Sequence, residues 1–337
     1  MFTNRRRARC SRALAAVVAC ATLTAIHAPA GDALALRATP GYHFLRIDHP
    51  QAASVTGLTT IAENGDIAGF YTDAAGRSHG FVRDAVTGAF AAVDVPGALD
   101  TWALGLNAHG DVSGTFKDQA GAQHGFVRDG AGFHAIDVPG AVSTTPATSE
   151  FGTGLGTAVG TIRDDGAVSG GWGDGAGASH GFLQRPGQPR IDIDAPGASR
   201  AMDPIFQTRG GTGAIRSNAR GDVVGYFQPA TRSSLSPVDI RAYRLRDGVW
   251  TTLLPPLAFT SQAFALNETG DVGGVAYGID GLNGNGWIWH DGAYKRIDAA
   301  PLLLTTTVGD ISESGILVGE MITLDTKAHG YIAWPTS

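Results

Sequence analysis

Cysteine is nearly missing from this chain. Its 337 residues hold two, Cys10 and Cys20, both within the first 20 positions. Those positions belong to an opening stretch, "MFTNRRRARCSRALAAVVACATLTAIHAPAGDALA", built like a secretory leader. Arg5, Arg6, Arg7, Arg9 and Arg12 make a basic start, Ala13 to Ile26 is apolar, and Ala28-Pro29-Ala30 and Ala33-Leu34-Ala35 offer small residues for cleavage. The pattern predicts a signal peptide over 1–30 and a linker over 31–41. Cleavage after Ala30 removes both cysteines and so excludes a disulfide. In an oxidising compartment the fold then rests on its core alone.

Long apolar runs are also missing. After the leader nothing approaches the ~18 residues of a membrane-spanning helix. Positive charge is scarce: 25 basic residues stand against 31 acidic ones, a net charge of −6. The leader takes five of those 25 and no acid, which leaves 20 against 31, a net of −11. An acidic chain without basic clusters is a poor match for nucleic acid or an anionic membrane. The chain is expected to be secreted, extracellular or periplasmic. A second reading exists at Val17-Val18-Ala19-Cys20, which has the form of a lipobox and would make Cys20 a lipid anchor. The apolar run continuing through Leu23 and Ile26 favours the ordinary leader.

Catalytic signatures are the third absence. There is no Gly-x-Ser-x-Gly elbow, no His-Glu-x-x-His and no isolated carboxylate pair. "GTGLGTAVG" (152–160) lacks the Gly-Lys-Ser/Thr ending of a phosphate loop, and "RGGTGAI" (209–215) occupies the same place one repeat later. Helical periodicity is missing too: no 12-residue window carries the i, i+3, i+4, i+7 spacing.

Repetition and glycine are plentiful. The chain has 48 glycines, and a pair four apart recurs six times: Gly65/Gly69, Gly110/Gly114, Gly166/Gly170, Gly221/Gly225, Gly270/Gly274 and Gly315/Gly319. Units of about 50 residues fill the chain without leaving room for a second domain. In the second copy "TWALGLN" (101–107), "DVSGTFKD" (111–118), "QHGFVRD" (123–129) and "GFHAIDVP" (132–139) are short segments rich in Val, Ile, Phe and Thr, parted by Gly, Asn and Asp. They read as four antiparallel strands, a to d, joined by tight turns. The second glycine of each pair falls inside strand b, where it weakens the strand. Its recurrence predicts close approach of a neighbouring backbone or ring.

Four strands per repeat predict an all-β, six-bladed β-propeller. The expected units are about 51–96, 97–139, 140–195, 196–255, 256–299 and 300–337. The last copy lacks a d strand, and "YHFLRIDHP" (42–50) before the first copy has the d pattern. The N-terminal strand is therefore expected to complete the last blade, making 42–337 one domain with no open sheet edge at the join.

His79-Gly80-Phe81, His124-Gly125-Phe126, His180-Gly181-Phe182 and His329-Gly330-Tyr331 recur in register with the glycine pairs. These trios resemble the bacterial extracellular HAF repeats. The middle residue departs from that pattern, being Gly instead of Ala. Copies four and five depart further, with Arg241-Ala242-Tyr243 and Asn285-Gly286-Trp287. The resemblance implies a secreted or surface repeat protein and no established reaction.

Repeated histidines and acids invite a metal, but equivalent strand positions in different blades are too far apart to share one ion. His79, His124, His180 and His329 are expected to bond a neighbouring strand or turn. Asp48, Asp94, Asp137, Asp194 and Asp298 in strand d, and Asp73, Asp118 and Asp174 after strand b, are expected to serve turns. No cofactor or metal is predicted.

Extra residues fall between d and a (140–156, 197–213) or between b and c (228–241, 276–285), connections that emerge on one face. Trp102, Glu150, Phe151, Asp203, Phe206 and Arg209 are the binding candidates there. The expected function is a monomeric, non-enzymatic binding scaffold for a glycan, a peptide or a surface protein. The alternative is a lactonase-like hydrolase or lyase with an axial metal. It needs polar side chains on the axis, and strand a offers Asn107, Asn218 and Asn267 at its turn end, where the other copies have Ala62, Arg163 and Ser312.

Overall fold

The computed structural model describes residues 41–143, 156–200, 210–230, 239–278, 283–299 and 304–336. The predicted leader and nearly all of the linker lie outside the described residues, as do the central parts of the four insertions. Among the described residues there are strands and no helix, so the chain is all-β. No helix there is long and apolar enough to cross a membrane.

The strands follow the repeat. The first copy forms β2 (Val55–Ile61), β3 (Ile67–Thr72), β4 (Ser78–Arg83) and β5 (Phe90–Ala92). The second forms β6 (Asp100–Leu106), β7 (Val112–Lys117), β8 (Gln123–Asp129) and β9 (Gly132–Ile136). The third forms β10 (Thr157–Ile162), β11 (Val168–Gly173), β12 (Ala178–Gln184) and β13 (Ile191–Ile193). The fourth forms β14 (Gly210–Ser217), β15 (Val223–Gln228), β16 (Arg241–Arg246) and β17 (Val249–Leu253). The fifth forms β18 (Thr260–Leu266), β19 (Val272–Tyr277), β20 (Gly284–His290) and β21 (Ala293–Ile297). The sixth has β22 (Thr305–Ile311), β23 (Leu317–Ile322) and β24 (Ala328–Pro335).

Within each copy consecutive strands pair antiparallel. The fourth partner of the sixth copy comes from the front of the chain. There β1 (Tyr42–Ile47) pairs antiparallel with β24, from Tyr42 opposite Pro335 to Ile47 opposite Gly330. Short parallel bridges from strand c of one quartet to strand a of the next join the quartets into sheets of 12, 8 and 4 strands. The ladder does not run unbroken through all of them.

The apolar core lies between neighbouring quartets. Phe81 packs with Val318 and Ile332 of the sixth quartet. Phe126 packs with Val93 and Ala68 of the first, and Phe182 beside Val138, which follows β9. Tyr243 packs with Leu183 and Ile193, Trp287 with Val224 and Leu253, and Tyr331 with Ile288 and Ile297. These six aromatics end the His-Gly-Phe-type trios and are all fully buried. Each contributes roughly 1.5–3 kcal/mol of burial, so the trio chiefly glues one sheet to the next.

The two glycines of each pair have different duties. Gly65, Gly110, Gly166, Gly221, Gly270 and Gly315 all have positive φ at the a–b turn. The second glycines lack room for a side chain. A Cβ on Gly114 would overlap the carbonyl oxygen of Trp102 and press on the Phe126 ring, and Gly69, Gly170, Gly225, Gly274 and Gly319 face the same carbonyl of their own strand a. Opposite these glycines every strand a carries a β-bulge, between Leu58/Thr60, Ala103/Gly105, Val159/Thr161, Ala214/Arg216, Ala263/Ala265 and Val308/Asp310. A bulge re-aims the extra residue, so one residue per strand leaves the ladder.

Candidate functional site

The six bulge residues are Thr59, Leu104, Gly160, Ile215, Phe264 and Gly309, and all six line one cavity. The cavity encloses about 720 Å³ including its open mouth. Its other lining residues are mostly glycines and apolar side chains, with Arg216 and Glu320 as its charges. The lining residues sit around the middle of strands a and b, with the six bulge residues and Arg216 on the a–b turn side of strand a.

Arg216 spans four quartets. Nε donates to the Phe264 carbonyl at 2.9 Å, Nη2 donates to the Thr59 carbonyl and the Thr60 hydroxyl at 3.0 Å each, and Nη1 lies 3.2 Å from the Asp310 carboxylate. Asp310 also accepts the backbone N–H of Ile61 at 3.0 Å and of Ile311 at 2.9 Å. Both side chains are under 10% exposed. Burial pushes the Asp310 carboxyl up to about 6, and Arg216 draws it back only in part. The pair binds the innermost strands together and leaves the carboxylate committed to protein donors.

A second set of polar groups lies away from the axis. Each trio histidine reaches an Asp at the end of strand d. His79 meets Asp94 at 2.9 Å, His124 meets Asp137 at 2.9 Å, His180 meets Asp194 at 3.0 Å and His329 meets Asp48 at 2.9 Å. The other ring nitrogen faces an Asp of the b–c turn: Asp73 at 3.4 Å, Asp118 at 3.5 Å, Asp174 at 3.4 Å and Asp325 at 3.5 Å. Three of the rings stack on a strand b aromatic: His79 on Tyr71, His124 on Phe116 and His180 on Trp172. Burial works against charge on His79, but Asp94 and then Asp73 hold its pKa above the ordinary histidine value. Asp73 and Asp118 are held below the carboxylate range first by the turn N–H groups of Arg77 and Ala122, and Asp325 first by the Thr323 hydroxyl. For Asp174 burial opposes the shift, and the Ala178 N–H and His180 overcome it. The residue after each strand d Asp donates its N–H to a hydroxyl at the start of the next strand a: His49 to Thr56, Val95 to Thr101, Val138 to Thr157, Ala195 to Thr212 and Ala299 to Thr306. Histidines and acids thus clamp strands c and d and the b–c turn within a quartet, and the threonines carry the link to the next quartet. Among the described residues no cluster of three His, Cys, Asp or Glu has a metal-holding arrangement.

The sequence-selected asparagines are ties between turns. Asn107 donates to the Arg163 carbonyl at 3.2 Å, Asn218 to the Asn267 carbonyl at 3.1 Å and Asn267 to the Ser312 carbonyl at 3.5 Å. None lines the cavity. Trp102 is only 4% exposed within β6, where it packs with Phe70 and Leu104 and carries Lys117 over its ring at 4.8 Å. Glu150, Phe151, Asp203, Phe206 and Arg209 lie outside the described residues. Sequence reasoning missed Arg216, Asp310 and Glu320. A signal was present: Arg216 and Asp310 are the charges inside strand a, which is otherwise uncharged beyond its first residue in all six copies.

No protein-family model matches the chain, and no curated protein matches it. Among solved structures the chain is similar to the β-propeller domain of the Trilobed protease from Pyrococcus furiosus. The TM-score is 0.45 at 10% identity, covering 84% of this chain and 94% of that one. It is similar to AofleA from Arthrobotrys oligospora, with a TM-score of 0.48 at 13% identity, covering 90% and 97%. It is also similar to the fucose-recognising six-bladed β-propeller lectin of Aleuria aurantia, with a TM-score of 0.44 at 10% identity, covering 83% and 91%. The likeness is remote and extends to a lectin and a protease alike.

Proposed function

We propose that this chain is an exported, non-enzymatic binding scaffold built as a six-bladed β-propeller. Each quartet is a blade, and β1 closes the ring by completing the last one. The HAF-repeat resemblance and removal of residues 1–30 are part of this reading. Closure is supported by the Tyr42–Ile47 pairing with β24 and by the packing of Phe81 on Val318 and Ile332, which joins first and last quartets as the others are joined. The ligand, a glycan, a peptide or an envelope component, enters from the face of the d–a and b–c connections.

The observation that carries the reading is the convergence of six bulge residues on one cavity. Glycine and apolar walls with a few polar groups suit recognition of a small group better than acid–base chemistry. Among the described residues nothing in the cavity pairs a nucleophile with a base. Asp310, the carboxylate paired with the cavity's Arg216, is held by that guanidinium and two backbone N–H groups. The test is a screen of the mature chain on glycan and peptide arrays, repeated with Leu104→Trp, which fills the cavity from its wall. A ligand bound at least tenfold more weakly by the folded variant is expected. Blank arrays, or binding indifferent to the substitution, overturn the reading. A stoichiometric metal ion in the purified protein would revive the hydrolase or lyase alternative.

A further inference from the structure

The fourth repeat breaks its own rule at one position. The residue after the trio aromatic is aliphatic in five copies: Val82, Val127, Leu183, Ile288 and Ile332. In the fourth it is Arg244. The next position is singular as well, because Trp289 of the fifth copy stands where the others have Arg83, Arg128, Gln184, Leu245 and Ala333. The two exceptions meet. The Arg244 guanidinium lies over the Trp289 ring, 4.6 Å from its centroid.

Among the described residues the charge of Arg244 has no counter-ion at contact distance. Nε and Nη1 are buried with no hydrogen-bond partner. The neighbouring cation, Arg246, is taken by Asp222, which accepts from its Nε at 2.8 Å. Asp271 is engaged by His290. Burial first, then the like charge of Arg246, holds Arg244 below the usual guanidinium range, against weaker pulls from Asp222 and Asp291. A buried donor left unmet keeps its desolvation cost, which the aliphatic residue of the other copies would avoid. An indole face stabilises the cation without supplying a hydrogen-bond acceptor. What is missing is an oxygen acceptor with negative charge.

We propose that Arg244 and Trp289 form an oxyanion site at the junction of the fourth and fifth quartets, taking a carboxylate or sulfate group. The site is separate from the axial cavity and does not depend on the scaffold reading. Its ligand is either a free anion or the same group carried on a glycan.

Calorimetric melting of the full mature chain tests this, with sodium sulfate against sodium chloride at equal ionic strength. Wild type, Arg244→Leu and Arg244→Lys are compared, with Arg190→Ala as a distant control that removes the cation over Trp172. Sulfate raises the melting temperature of any protein somewhat by exclusion from its surface. Wild type and Arg190→Ala should gain more than Arg244→Leu, the excess growing with the logarithm of sulfate concentration. Leucine is the third repeat's own residue, so that variant should fold. If it does not, Arg244→Lys keeps the charge, loses the guanidinium donors and should lose the excess. A hyaluronan tetrasaccharide, bearing carboxylates, is the second arm. Action at tenfold lower concentration than sulfate assigns the site to a glycan-borne group, and no advantage assigns it to a free anion. An equal sulfate response in wild type and Arg244→Leu, with no tetrasaccharide effect, means that water alone meets these donors and overturns the proposal.

Discussion

The cavity wall and the rim of the quartets solve the same problem in opposite ways. At the rim one device is written repeatedly: a histidine between two aspartates ties each quartet internally, and the aromatic two residues on and a threonine that accepts an N–H join it to a neighbour. At the cavity wall the join is made once, by Arg216 reaching Phe264, Thr59, Thr60 and Asp310. The repeated rim contacts range from buried to partly exposed, and the energy is spread over many of them. The single cavity-wall contact is buried and unshared, so a large energy depends on it. Repeat proteins build stability from many small neighbour interfaces, and this chain adds one centre to which four quartets answer.

The largest expected effect breaks the centre. Arg216→Met leaves the Asp310 carboxyl buried without its guanidinium and should cost about 3–5 kcal/mol in urea unfolding. Adding Asp310→Leu should restore most of that loss, because an apolar pair fills the same space without desolvated charge. If the double variant is no more stable than the single one, the cavity wall holds no paired centre.

Glycine substitutions come next. Gly114→Ala forces a Cβ against the Trp102 carbonyl and the Phe126 ring, and it should cost about 1–3 kcal/mol or more. At Gly121, where φ is +82° and nothing lies near the added atom, alanine should cost only about 1–2 kcal/mol of backbone strain. Equal losses would show that crowding at the bulge is not what requires the second glycine.

Removing rim acids should separate a buried clamp from an exposed one. Asp48→Ala strips the His329 partner, whose side chain is 5% exposed, and should cost about 1–3 kcal/mol with faster hydrogen exchange along β1. Asp94→Ala strips His79, whose side chain is 30% exposed, and should cost under about 1 kcal/mol. Slow exchange in β1 after Asp48→Ala would mean that the strand is held by its ladder and apolar contacts alone.

The smallest effects are in pH, and the two regions should answer with distinguishable signatures. Asp310 has a raised pKa, so the folded chain binds its proton more tightly than the unfolded one. Its ionisation therefore weakens the fold as pH rises through the window from about 4 to about 6. His79 is also raised, so its contribution is full below the unfolded histidine value and fades as pH climbs through the higher folded value. Stability curves of wild type and Asp310→Asn should diverge mainly below pH 6, and those of wild type and His79→Asn above it. Coincident curves in either comparison would remove that group from the account.

Much of this was legible because repetition averages out accidents. Six glycine pairs announced both the a–b turns and a crowded strand b, and both readings rest on backbone geometry that a single glycine would not reveal. The trio histidines were expected to bond a neighbouring strand or turn, and each does both. Their specific acids were not paired in advance, although Asp94, Asp137 and Asp194 stand 15, 13 and 14 residues beyond their histidines. The fourth pairing, His329 with Asp48, joins opposite ends of the chain and has no local spacing to read. The bulges were illegible because an extra residue in a strand changes no composition or alternation strongly enough to notice. Trp102 was placed on the loop side of strand a, where it sits, but its burial under Lys117 depends on neighbours that the repeat does not name.

What the sequence by itself determined was the all-β class and the four-strand unit with its two specialised glycines. These are local matters of turn conformation, alternation and short-range crowding, copied six times. Only the tertiary structure decided which residue each bulge turns to the cavity, that Arg216 finds Asp310 across the a strands, and that Arg244 meets Trp289. Those are meetings between residues tens to hundreds of positions apart, and the chain writes each of them once.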